Sequence, residues 1–164
     1  MIKNLLVLLI FLFSSLSFAH PHVWIDSKIM IRGDKLFIVW KFDEMFSNIF
    51  YADFDVDGDR QFMGMEAKQV KSGMFDNLRD FDYFFKAYCG NALLDVSNAE
   101  GFEVKSDKKF VSYKFNINIP IKKCRKQVQI YHYDETLYSE ITISKAVGAK
   151  IVDDTGGRQY MELK

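Results

Sequence analysis

Between Val111 and Ile119 the chain alternates without a break. Val111, Tyr113, Phe115, Ile117 and Ile119 are apolar, and Ser112, Lys114, Asn116 and Asn118 between them are polar. A sustained period of two specifies a β-strand with one wet face, and Pro120 ends it because it cannot donate to a ladder. Such a strand needs partners along its edges and a cover over its apolar face. The same logic reads Val23–Ile31 and Leu36–Phe42 as a hairpin around Gly33-Asp34. Val128, Ile130 and His132 alternate again, Asp134-Glu135-Thr136 reads as a turn into a further strand, and Asp154-Thr155-Gly156-Gly157 as the last hairpin turn.

Between the early and late strands the period changes. Phe42, Met45, Phe46, Ile49 and Phe50 fall at helical spacing, and Val70, Met74, Leu78, Phe81, Phe85 and Tyr88 mark a second, longer helix. Strands, helices, then strands predict an α+β fold. Its sheet is mainly antiparallel, with a helical insert over about 43–88, and its apolar face is covered by that insert or by a second sheet.

The N-terminus bears on compartment. A short basic start, an apolar run from Leu5 to Phe13 and the small-x-small ending Ser17-Phe18-Ala19 predict a cleavable secretory signal over residues 1–19. The apolar run is well short of the roughly 20 residues that span a bilayer. Residues 20–164 are then expected as a single periplasmic domain that does not span the membrane. Acidic and basic residues balance at 22 each, which gives no electrostatic reason to expect nucleic acid as a partner. Cys89 and Cys124 are the chain's two cysteines, and in an exported protein a disulfide is the leading reading, with two buried thiols as the alternative.

The loop DVDGDRQFMGME, Asp55 to Glu66, sits between the two helical stripes. With Asp55 at position 1, Asp57, Asp59, Gln61 and Glu66 fall at 3, 5, 7 and 12 of an EF-hand-like calcium loop. Two positions depart from the pattern. Arg60 stands where the turn ordinarily uses Gly, and Met63 brings no oxygen to position 9. Starting the loop at Asp53 puts Gly58 at position 6 but loses the closing Glu. The plainer reading is an acidic loop that caps the second helix.

Cleavage after Ala19 makes His20 the first residue and gives it a free α-amine. On an extended strand His20, His22, Trp24 and Asp26 share one face, and same-face neighbours lie roughly 6.5 to 7 Å apart. Two imidazoles at that spacing can converge on one ion, with His132 as the candidate third ligand. Imidazole nitrogens suit zinc, copper, nickel and cobalt. A buried, hydrogen-bonded core histidine is the alternative for His132. Pro21 removes the backbone N–H that the amino-terminal copper chelate must lose, while a brace formed by the amine and ring of His20 stays open.

HPHVWID, DVDGDRQFMGME and VQIYHYDETLY, in that order, resemble a family of small periplasmic proteins described as the periplasmic component of an ABC-type transport system. Members accompany nickel/cobalt-type permeases and are linked with zinc and other transition-metal transport. The resemblance spans nearly all of residues 20–164. It implies a metal-binding accessory protein, no enzymatic activity and an inner-membrane metal permease as partner. The competing expectation is a non-catalytic envelope interaction module stabilised by a structural calcium loop. No Ser-His-Asp order, HExxH or glycine-rich phosphate loop occurs in the chain, which leaves enzymatic chemistry without a recognisable centre.

Overall fold

The structure, a computed structural model, describes residues 22–163. The N-terminal hairpin forms as the alternation requires: β1 (Val23–Arg32) pairs antiparallel with β2 (Lys35–Phe42), with Arg32 opposite Lys35. Gly33 turns between them at φ 63°, a conformation that costs glycine little. The strand of unbroken alternation is β6 (Val111–Asn118), laid antiparallel on β2 with Ile38 opposite Phe115. Its apolar set, Val111, Tyr113, Phe115 and Ile117, is buried.

Among the described residues, ten strands form two five-stranded sheets. The first has the order β5-β6-β2-β1-β8, with β5 at Glu100–Ser106 and β8 at Ser139–Val147. The second has the order β4-β3-β7-β10-β9, built from β3 (Phe85–Cys89), β4 (Ala92–Leu94), β7 (Val128–His132), β9 (Lys150–Asp153) and β10 (Gln159–Leu163). All pairings are antiparallel except β1 with β8. The fold is α+β and rich in antiparallel sheet. The two sheets meet through Trp40 of β2, whose ring centroid lies 5.4 Å from that of His132 on β7 and 6.0 Å from that of Phe84.

The insert packs on the first sheet beside Trp40, which lies opposite Tyr113. Helix α1 (Glu44–Phe54) is capped by Asp43, whose carboxylate accepts from the Phe46 N–H at 2.9 Å, and its Phe50 packs on Phe42 and Tyr113. The apolar stripe is only partly buried: Phe50 is 1% exposed, but Met45 is 57% and Ile49 44% exposed. The helix is rotated because Ser47 approaches β6 closely, where its hydroxyl donates to the Asp43 carbonyl and accepts from the Val111 N–H at 2.9 Å.

The expected long second helix is corrected. Helix α2 (Gly64–Val70) is followed by one wide π-type turn over Lys71–Phe75 and tight turns over Asp76–Phe84. Asp82, Tyr83 and Phe84 take φ of 50°, 53° and 63°, which ends helical winding. Tyr83 is held there by packing on Phe75 and Phe115, and its hydroxyl accepts from the Ala99 N–H at 3.1 Å. Phe85 and Tyr88, read as the end of the helical stripe, belong instead to β3, where buried Phe85 and Ala87 alternate with more exposed Lys86 and Tyr88. Among the described residues no helix is long and apolar enough to cross a membrane.

Candidate functional site

The start of β1 carries the described part of the histidine arm; His20 lies outside the described residues. Strand alternation works as expected, since Val23 and Ile25 are 2% and 4% exposed while Trp24 is 45% exposed. His22 is exposed at the strand's head. Its backbone N–H donates to the Tyr138 carbonyl at 2.8 Å and its ring rests on the Tyr138 ring at 5.1 Å. Neither ring nitrogen of His22 is in a hydrogen bond among the described residues, so both remain available to an ion.

Tyr138 is held in place by the turn before it. Asp134, 5% exposed, accepts from the Thr136 N–H and hydroxyl and from the Ser139 N–H at 3.0 Å. That Asx turn carries the chain from β7 in the second sheet to β8 beside β1 in the first. Beside it opens an apolar cleft of about 270 Å³ lined by Phe46, Met74, Leu78, Phe81 and Tyr138 among others.

His132 is elsewhere and differently bound. It shares the buried face of β7 with Val128 and Ile130, and β7 pairs with β3 and β10 rather than with β1. Trp40 Nε1–H donates to His132 Nε2 at 3.0 Å, which leaves the proton on Nδ1 to be donated to the Phe84 carbonyl at 3.2 Å. The Phe85 ring lies parallel to the imidazole at 3.9 Å. Burial holds its pKa down at about 3, with the Phe84 carbonyl pulling the other way. With both nitrogens engaged, His132 is held in the structure as a core histidine on β7 and is not brought beside β1. The clue in the sequence was Trp40: a tryptophan on the buried face of β2 needs an acceptor for its N–H, and His132 was the polar residue on an equally apolar face.

The acidic loop joins α1 to α2. Ligand oxygens of Asp55, Asp57 and Asp59 lie within 4.8 Å of one another, the one such group of three or more His, Cys, Asp or Glu among the described residues. Asp55 Oδ2 accepts from the Arg60 N–H at 3.1 Å, while Asp55 Oδ1 is buried without a hydrogen-bond partner. Arg60 adopts φ 61°, the left-handed conformation expected of that position, and its guanidinium turns away to the Lys108 carbonyl and the Tyr51 ring. Gln61 places its N–H on Asp59 Oδ1 at 2.6 Å. Glu66 does not join the cluster: its Oε1 accepts from the Val56 N–H at 2.7 Å and its Oε2 from the Met63 N–H at 3.5 Å, a cap for α2.

Cys89, at the end of β3, and Cys124, before β7, form a disulfide. The bond fits an extracellular or periplasmic protein.

The sequence is similar to that of an uncharacterised 15.5 kDa protein in the trpE 3′ region of Spirochaeta aurantia, with 25% identity over 115 residues, covering 68% of this chain and 81% of that protein. No solved structure matches. Residues 5–158 match the model of a family described as a protein of unknown function, DUF1007, and the chain belongs to that family.

Proposed function

We propose that this is an exported, non-catalytic accessory protein that binds a transition-metal ion at its N-terminal histidine arm and works with an inner-membrane metal permease. The observation that carries the reading is the contrast between the described histidines. His132 has both nitrogens engaged in the core, and His22 stands exposed on the head of β1 with neither ring nitrogen bonded among the described residues. His20, two residues earlier, supplies a second imidazole and, after cleavage behind Ala19, an α-amine. Zinc fits nitrogen donors completed by oxygen or water, and nickel, cobalt and copper bind the same donors. The signal-like N-terminus together with the disulfide supports a periplasmic location. The order of the three motifs, which resembles that of transport-linked periplasmic proteins, supports the permease as partner.

Metal titration of the chain with its native N-terminus, followed by the fluorescence of Trp24 and Trp40, tests this. Trp24 shares the His22 face, so Zn²⁺, Ni²⁺ or Cu²⁺ should change the emission. His20→Ala/His22→Ala should weaken affinity at least about tenfold, the low end for disturbing a metal's coordination environment. Micromolar or tighter binding that survives in the double variant removes the site. An extra Met before His20 distinguishes use of the amine: unchanged binding excludes the brace.

A second reading, an envelope interaction module with a structural calcium ion, is supported by the Asp55, Asp57 and Asp59 oxygens and the buried, unpartnered Asp55 Oδ1. Hard carboxylate oxygens suit Ca²⁺, and the absence of Glu66 from the cluster implies a weak site. Calcium at about 100 times its Kd should stabilise the chain by about 2.7 kcal/mol. Asp55→Ala should abolish the accompanying rise in melting temperature, and equal rises in both proteins would exclude this loop.

A further inference from the structure

We infer that Glu140 of β8 supplies the carboxylate ligand of the His22 metal site, an inference that rests on the metal-binding reading above. The parallel ladder between β1 and β8 sets the geometry, with Val23 opposite Ser139 and Trp24 opposite Glu140. His22 therefore lies beside Tyr138, as its ring contact and backbone hydrogen bond show. On β8 the apolar Ile143 is 2% exposed, while Glu140 and Thr142 are exposed on the opposite, wet face. His22, Trp24, Tyr138 and Glu140 are the corners of one exposed patch, with His22 and Glu140 on its diagonal. Adjacent strands about 4.8 Å apart and a two-residue step along them put the diagonal Cα atoms roughly 8 Å apart. An imidazole and a glutamate can both reach an ion held between those positions.

Chemistry selects Glu140 from the neighbouring acids. Asp26, further along the same face, accepts from the Ser144 hydroxyl. Asp43 is bound to the Trp24 and Phe46 N–H groups. Glu140 has no hydrogen bond or ion pair among the described residues, and with Trp24 and Asp26 it lines an open cleft of about 460 Å³. A carboxylate here adds a negative oxygen donor to the His22 imidazole and reduces the charge of a bound divalent ion. Mixed nitrogen and carboxylate ligation suits Zn²⁺ and, as its spectroscopic substitute, Co²⁺.

Co²⁺ titration of the chain processed after Ala19, read by visible absorption and Trp24 emission and repeated with Zn²⁺ competition, tests the assignment. Wild type, His22→Ala and Glu140→Gln are compared, and melting curves establish that all three fold, as the exposed positions lead one to expect. The expected result is affinity at least about tenfold weaker in Glu140→Gln, with an altered Co²⁺ visible spectrum, and a loss at least as large in His22→Ala. If His22→Ala loses binding while Glu140→Gln keeps both affinity and spectrum, the Glu140 assignment is wrong and the histidine site stands. If neither variant loses binding, the histidine site is wrong, and the Glu140 assignment goes with it.

Discussion

His132→Ala is expected to destabilise the chain by about 3–5 kcal/mol, because it removes a buried ring and orphans the buried Trp40 indole N–H, while the Phe84 carbonyl keeps the Tyr133 N–H. The ring fills the space between Trp40 and Phe85, accepts from Trp40 Nε1–H at 3.0 Å and meets the Phe84 carbonyl at 3.2 Å. Acid should act on the same residue. Burial lowers its pKa from 6.5 to about 3, so between those values the unfolded chain binds a proton that the folded chain refuses. Stability from this group is complete above pH 6.5 and falls as the pH approaches 3, by at most about 4–5 kcal/mol. Urea unfolding of wild type from pH 7 to pH 3.5 should show that loss. His132→Gln, which keeps an acceptor near Trp40 but does not titrate, should begin less stable at pH 7 and lose less on acidification. Equal acid slopes in the two proteins would mean that other groups drive acid unfolding.

The same residue shows where the sequence was legible and where it was not. Alternation gave Val111, Tyr113, Phe115, Ile117 and Ile119 one apolar face because the strand carries its own period, and the structure buries all of them. Alternation also put His132 on a buried face with Val128 and Ile130. What it could not supply was the sheet to which β7 belongs: strand partnership depends on chain crossings, here the Asp134 turn that sends β8 back beside β1 while β7 stays with β3 and β10. Periodicity misled where two periods overlap. Phe81, Phe85 and Tyr88 extend the helical stripe on paper, but Phe85 and Ala87 also alternate with Lys86 and Tyr88, and pairing with β7 satisfied their backbone groups. Met45 and Ile49 fit an apolar stripe yet stay exposed, because one Ser47 hydroxyl bound to β6 fixed the rotation of α1. For the acidic loop, spacing alone foresaw the convergence of Asp55, Asp57 and Asp59. The capping duty of Glu66 was visible only once both helix ends were in place.

Reduction of Cys89–Cys124 should lower stability by about 3–4 kcal/mol on the chain-entropy account, since the bond closes a loop between cysteines 35 residues apart. For a chain of this size that is a fall of roughly 6–16 °C in melting temperature. The bond ties the end of β3 to the segment between β6 and β7, which carries the chain from the first sheet to the second. The native ladder around it is independently held, with Cys89 opposite Val128 in the β3–β7 register and the Gly90 N–H on the Gln127 carbonyl at 3.0 Å. Opening the bond should therefore leave the folded state intact and act mainly by freeing the unfolded chain. Near-UV circular dichroism at 25 °C, and the metal binding proposed at His22 on the first sheet, should change little while the melting temperature falls. Cys89→Ala/Cys124→Ala should reproduce the fall and become insensitive to reductant. A reduced wild-type chain that unfolds at 25 °C, or a double variant as stable as the oxidised protein, would contradict an account in which the bond restricts the unfolded chain and the sheets hold the native one.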